Sequence, residues 1–209
     1  MGVLRLEDVS YSYGENMVLN QLSLDFEKGK MYAVVGKSGA GKTTLLSLLA
    51  CLTRPDSGEM YYLDQDVKKI DTYKYRSKYV GVIFQSYNLL TKLTALENVV
   101  LSMDIAEMKK VDKSAEAMRL LRSVGISEQE ANRRVLQLSG GQQQRVAIAR
   151  ALAYNPDVIL ADEPTGNLDG QTEKEILGIM RRLADEGRCV ILVTHSPAVS
   201  KATDIVIKL

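Results

Sequence analysis

An apolar run at residues 31–35 ends in Gly36-Lys37-Ser38-Gly39-Ala40-Gly41-Lys42-Thr43-Thr44, and a leucine-rich segment without breakers follows directly. Strand, glycine turn and helix in that order leave few folds open. The glycines let backbone N–H groups turn inward as an anion cradle, while the helix start adds unpaired N–H groups and the positive end of its dipole. The spacing Gly-x-x-x-x-Gly-Lys-Thr places a lysine to reach the outer phosphates of a nucleotide.

Period and punctuation extend the pattern. Residues 4–9 and 18–26 alternate as strands of an antiparallel meander, and 59–63 and 80–84 are also strand-like. The segment 42–51 is read as the helix after the glycine turn. Residues 158–161 and 189–193 are short continuous apolar runs, as strands buried on both faces must be. Between them Ile176, Leu177, Met180, Leu183 and Ala184 mark an amphipathic crossover helix, which makes the two strands parallel. The middle third is helical: Thr94 with Glu97 and Ser127 with Glu130 have capping-box spacing, and Ala117, Met118, Leu121 and Val124 form one face closed by Gly125. An inserted helical lobe is therefore predicted at about residues 87–136.

The 209 residues suffice for one sizeable core with a smaller inserted lobe. Lysine plus arginine number 27 against 26 aspartates and glutamates, and doublets such as Lys109-Lys110 are scattered among acids, so no nucleic-acid footprint is present. Cys51 and Cys189 sit in apolar runs without metal-ligand or redox spacing and read as buried thiols of a reducing cytosol. No signal-like N-terminus and no apolar stretch long enough to span a bilayer is found, so membrane work would pass through a partner.

Four polar groups follow the carboxyl ends of apolar runs: Gly36 after Val35, Gln85 after Phe84, Asp162 and Glu163 after Ala161, and His195 after Val193-Thr194. In an open α/β sheet that edge is the ligand-binding edge, so these segments are expected to converge beside the glycine turn. Lys42 is then assigned to the β and γ phosphates, and Thr43 and Asp162 to Mg²⁺. Glu163 is assigned to orienting or deprotonating the attacking water, and His195, the sole histidine, to the γ-phosphate. Gln85 joins the catalytic and metal-binding set from the same edge.

Leu138-Ser139-Gly140-Gly141-Gln142 supplies a second device, since Ser139 and Gln142 have capping-box spacing ahead of a helical face at Val146, Ala149 and Leu152. It is another helix N-terminus with bare N–H groups. Because the first loop already surrounds the phosphates, the second is read as serving a nucleotide bound by another subunit, with two copies head to tail.

In this order the residues 36–44, Gln85, 138–142, 158–163, Asn167-Leu168-Asp169 and His195 resemble the nucleotide-binding subunits of ATP-binding cassette (ABC) transporters over essentially the whole chain. The runs 162–169 and 138–145 are most similar to the macrolide-export and lipoprotein-release group. The resemblance implies an α/β P-loop NTPase with a mostly parallel central sheet, an N-terminal antiparallel β-subdomain and an inserted α-helical subdomain. Residues 1–86 and 137–209 would form the core with its β-subdomain. It further implies ATP and Mg²⁺ as ligands, ATP hydrolysis coupled to closure of a homodimer, Ser139 and Gly141 facing the γ-phosphate in trans, and Asp169 at the dimer interface. An aromatic residue upstream of the glycine turn stacks on adenine in this family; Tyr13 and Tyr11 both qualify. A membrane permease would dock near the Gln85 loop, holding the chain at the inner face of the cell membrane. The chain ends at Leu209 soon after a strand at 204–207, so no regulatory domain is expected. A non-transport ATPase of the same superfamily, tied to DNA repair or translation, is the competing reading, although no long heptad insertion and no second cassette is present.

Overall fold

The computed structural model describes residues 2–109 and 111–209; Met1 and Lys110, the second member of one basic doublet, lie outside them. The chain begins β1 (Leu4–Tyr13), β2 (Asn16–Phe26), β3 (Met31–Val35) and α1 (Lys42–Leu49). Next come β4 (Ser57–Tyr62), β5 (Gln65–Asp66), the short α2 (Thr72–Lys74), a π-helical turn at Tyr75–Tyr79 and β6 (Val80–Ile83). Helices α3 (Ala95–Ile105), α4 (Lys113–Ser123), α5 (Glu128–Ala131) and α6 (Gly140–Ala151) follow. The chain closes with β7 (Val158–Asp162), α7 (Gly170–Asp185), β8 (Cys189–Val193), α8 (Pro197–Lys201) and β9 (Ile205–Lys208).

Two sheets result. One is antiparallel in the order β2-β1-β4-β5, and the other has the order β6-β7-β8-β3-β9 with every pair parallel. The period of two along the parallel strands divides the core. Met31, Ile159, Ala161, Val190 and Leu192 face one cluster with α3, α4, α6 and α7. Tyr32, Val34, Val158, Leu160, Ile191 and Val193 face the other, with α1 and the antiparallel sheet. Burial on both sides is why these strands read as unbroken apolar runs.

Register aligns the carboxyl ends. Ile83 pairs with Ala161, Asp162 with Val193, and Val34 with Val193. The four segments expected at one edge therefore leave the sheet side by side.

Several boundaries differ from the sequence reading. β1 runs on to Tyr13 because it keeps pairing with β2 as far as Asn16, across register shifts that bend the ribbon. Helix α1 stops at Leu49 instead of Cys51, since Cys51 turns left-handed at φ 52° and the Leu52 N–H returns to the Ser47 carbonyl at 2.9 Å. The turn at Tyr75–Tyr79 was not expected; the buried Tyr75 hydroxyl there donates to the Leu49 carbonyl at 3.0 Å, anchoring the segment beneath α1. Both thiols are free, and burial pushes them up to about 11 for Cys51 and about 12 for Cys189.

Candidate nucleotide site

The glycine turn needs its glycines. Gly39 and Gly41 have φ of 80° and 90°, where a Cβ is strained. A Cβ on Gly41 would also lie 2.9 Å from Leu19 Cδ2 and from Val18 Cγ1. Gly41 is the N-cap of α1 and offers no side-chain cap, so the first N–H groups of the helix point into the turn unpaired by any side chain. Lys42 is only 6% exposed and folds back so that Nζ donates to the carbonyls of Gly36 and Lys37, each at 3.0 Å. These contacts hold the ammonium at the mouth of the turn.

A cavity of about 830 Å³ opens there. Its wall carries Tyr13, Ser38, Gly39, Gly41, Lys42, Thr43, Thr44, Gln85, Asp162, Glu163 and His195 among the residues expected from sequence. Residues 41–44, Gln85, Asp162, Glu163 and His195 thus meet in one place despite their separation along the chain. Tyr13 is 58% exposed against the cavity, whereas Tyr11 lies outside its wall, edge-on to Tyr13 at 5.0 Å and accepting a hydrogen bond from the Thr53 hydroxyl.

Asp162 and Glu163 differ in environment. The Asp162 carboxyl is raised above the usual aspartate range by burial, against the opposing pull of the Thr43 hydroxyl that donates to it and of the Lys42 charge. Glu163 sits at φ 44°, a left-handed conformation uncommon for a residue with a Cβ, and its N–H donates to the Val193 carbonyl at 2.9 Å. The strained turn aims the side chain into the cavity. There Oε2 accepts from the buried Thr194 hydroxyl at 3.4 Å, while Oε1 is buried without a hydrogen-bond partner among the described residues. An unpartnered buried carboxylate oxygen is costly, and since Glu163 lines the cavity, a ligand or its water could become its partner once the side chain turns outward.

The remaining expected residues lie elsewhere. Gly36, Lys37 and Ala40 form the back of the turn and do not face the cavity; a Cβ on Gly36 would meet the Leu209 carbonyl at 2.8 Å. Ser139, Gly140, Gly141 and Gln142 are absent from the wall, and Ser139 is exposed. They form the predicted capping box: Ser139 N–H donates to Gln142 Oε1 at 2.8 Å, and the Ser139 hydroxyl accepts from Gln142 N–H at 3.3 Å. Asp169 caps α7, accepting from the N–H groups of Gln171 and Thr172 at 3.0 and 2.9 Å. Those bonds hold its carboxyl below the usual range.

Thr165, Glu173, Thr194 and Ser196 were not singled out by sequence. Thr194 is legible in retrospect as a hydroxyl between β8 and His195, but Glu173 reaches Ser196 across 23 residues and leaves no signal in spacing.

A family model described as "ABC transporter" matches residues 19–166. The chain belongs to the ABC transporter family, and is an ATP-binding subunit and ATPase of that family. It is 45% identical over its whole length to the "Uncharacterized ABC transporter ATP-binding protein YclH" of Bacillus subtilis, covering 94% of that protein. It is 44% identical to the "Macrolide export ATP-binding/permease protein MacB 2" of Aeromonas hydrophila over 95% of this chain, but spans only 31% of that longer protein. Among solved structures, the dimeric post-hydrolysis state of the ATP-binding cassette MJ0796 bound to ADP and Pi superimposes with a TM-score of 0.88 at 38% identity, covering 99% of this chain and 94% of the other.

Proposed function

We propose that two copies of this chain close head to tail around two ATP molecules and hydrolyse them, each site using the cavity of one copy and Ser139 to Gln142 of the other. The observation that carries the reading is the split placement of the two anion-binding helix N-termini. The wall holds the α1 turn, Gln85, Glu163 and His195 but stops short of α6, whose capped N-terminus is exposed. The dimeric state of the MJ0796 cassette gives a precedent for such pairing.

In this reading Tyr13 stacks on the base, the N–H groups of the glycine turn cradle the phosphates, and the Lys42 ammonium exchanges its two carbonyl partners for phosphate oxygens. The Thr43 hydroxyl and Asp162 hold Mg²⁺, with Gln85 nearby. These donors are too few to cage the ion alone and fit one shared with phosphates. When bound, Mg²⁺ neutralises charge on the phosphate oxygens. Glu163 Oε1 accepts a hydrogen bond from the attacking water, Thr194 fixes the other carboxylate oxygen, and His195 meets the γ-phosphate. Residues 87–136 act as a helical lobe set into the core formed by 1–86 and 137–209.

No helix among the described residues is long and apolar enough to cross a membrane. The relative MacB 2 joins ATP-binding and permease functions in one longer chain. We assign this chain to a transporter of export type in which a membrane permease docks near the Gln85 loop and holds it at the inner membrane face. The non-transport reading is not favoured, since its relatives are transporter ATPases.

Glu163→Gln tests the reading. It is expected to bind Mg-ATP, lose about 10² to 10⁴ of the turnover, and accumulate as an ATP-dependent dimer in size-exclusion chromatography with light scattering. Chelating Mg²⁺ is expected to stop wild-type hydrolysis. Unchanged turnover in Glu163→Gln, or a monomer at saturating ATP, contradicts it.

A further inference from the structure

Glu173 lies in the first turn of α7 and faces the cavity, yet sequence gives it no role. Its Oε1 accepts two hydroxyl hydrogen bonds from different loops: Ser196 Oγ at 3.0 Å and Thr165 Oγ1 at 3.3 Å. Thr165 belongs to the loop that leaves β7 through Glu163, and Ser196 to the loop that leaves β8 through His195. The circuit closes on its far side, because Ser196 N–H donates to Thr194 Oγ1 at 3.0 Å and Thr194 Oγ1 donates to Glu163 Oε2 at 3.4 Å. Gly166 N–H donates to the Glu163 carbonyl at 3.1 Å, tightening the turn between Glu163 and Thr165.

We infer that Glu173 is a positioning residue for hydrolysis, one carboxylate oxygen pinning the Glu163 loop to the His195 loop so that both side chains face the same point in the cavity. The inference rests on the roles given above to Glu163 and His195. A carboxylate at this place puts negative charge beside an intended triphosphate site, a cost that helix stabilisation alone does not require, since a solvent-facing acid in the same turn would supply it. Two charge-assisted bonds to opposing loops give the charge a use. Neither Glu163 Oε1 nor His195 Nε2 is held by the other, as they are 3.7 Å apart, so their relative placement depends on the loops that carry them.

The test measures kcat and KM for Mg-ATP, together with Tm, for Glu173→Ala, Glu173→Gln, Ser196→Ala and the double variant Glu173→Ala/Ser196→Ala. Loss of the cross-loop bonds is expected to lower kcat about tenfold in Glu173→Ala, with KM held within about twofold. Ser196→Ala is expected to fall in the same direction, and the double variant no further than the worse single, because both changes break one circuit. Glu173→Gln keeps an oxygen that accepts from both hydroxyls and is expected to recover most of the rate. Full kcat in Glu173→Ala with only a lowered Tm, strictly multiplicative losses in the double variant, or Glu173→Gln as slow as Glu173→Ala overturns the inference. Should Glu173→Ala fail to fold, Glu173→Gln and Ser196→Ala decide alone: a slow Gln variant or a full-rate Ser196→Ala overturns it. Glu163→Gln in the same assay separates the two readings. If it stays active, the parent assignment fails; if it is dead while Glu173→Ala is unaffected, only the positioning role fails.

Discussion

Glu163 Oε1 and His195 Nε2 stand 3.7 Å apart at the ends of neighbouring parallel strands, close enough to act on one atom and too far to satisfy one another. Strand register creates this relationship, since Asp162 pairs with Val193 and the two following turns project together. Glu163 Oε1 is buried and unpartnered among the described residues, while the His195 side chain is 56% exposed. Both residues line the same cavity.

His195→Ala is expected to lower kcat by roughly 10² to 10³ while leaving the ATP dissociation constant within about threefold, because the contact matters most where charge develops on the transferring phosphoryl group. Steady-state kinetics and calorimetric titration of the same preparation check this. An equal loss in affinity and rate would make His195 a ground-state binding group.

Tyr13 and Tyr11 give a sharper contrast than the sequence allowed. Tyr13 faces the cavity and Tyr11 is turned toward Thr53. Removing a stacked ring costs about 0.5–1.5 kcal/mol, so Tyr13→Ala is expected to weaken ATP binding by about twofold to twelvefold, and Tyr11→Phe to leave it unchanged. Isothermal titration with Mg-ATP distinguishes them; a larger effect at Tyr11 would reverse the assignment.

Arg150, on α6, ties the Gln85 loop to the helix that begins at Ser139. Its guanidinium donates to the carbonyls of Tyr87, at 2.9 Å, and Asn88, two residues held at φ of 61° and 49°. Arg150→Ala leaves these left-handed residues without their clamp and is expected to lower Tm on the order of 5 °C. It is also expected to raise amide exchange at residues 86–90 more than in the parallel sheet. Unchanged exchange in that loop would show that the clamp is dispensable.

How legible the chain was depends on where each residue's information lies. The parallel strands announced themselves because burial on both faces forces a continuous apolar run, and Gly39 and Gly41 because only glycine takes their backbone angles at low cost. The capping boxes at Thr94, Ser127 and Ser139 were equally plain, since each is local and spans four residues. Tyr75–Tyr79 was hidden because its turn is imposed by contacts with α1 and not by its own propensity. Glu173 was hidden for the same kind of reason. Its partners come from two loops brought together only by the register of β7 against β8.

The shared site is tested most directly by mixing Lys42→Ala chains with Ser139→Arg chains and assaying purified heterodimers, each variant being inactive alone. If nucleotide sites are built from the glycine turn of one copy and Ser139 of the other, the heterodimer has one site with both defects and one with neither, and hydrolysis returns. If each site belongs to a single copy, both sites of the heterodimer carry a defect and no activity appears. Persistent inactivity in a proven heterodimer contradicts the account.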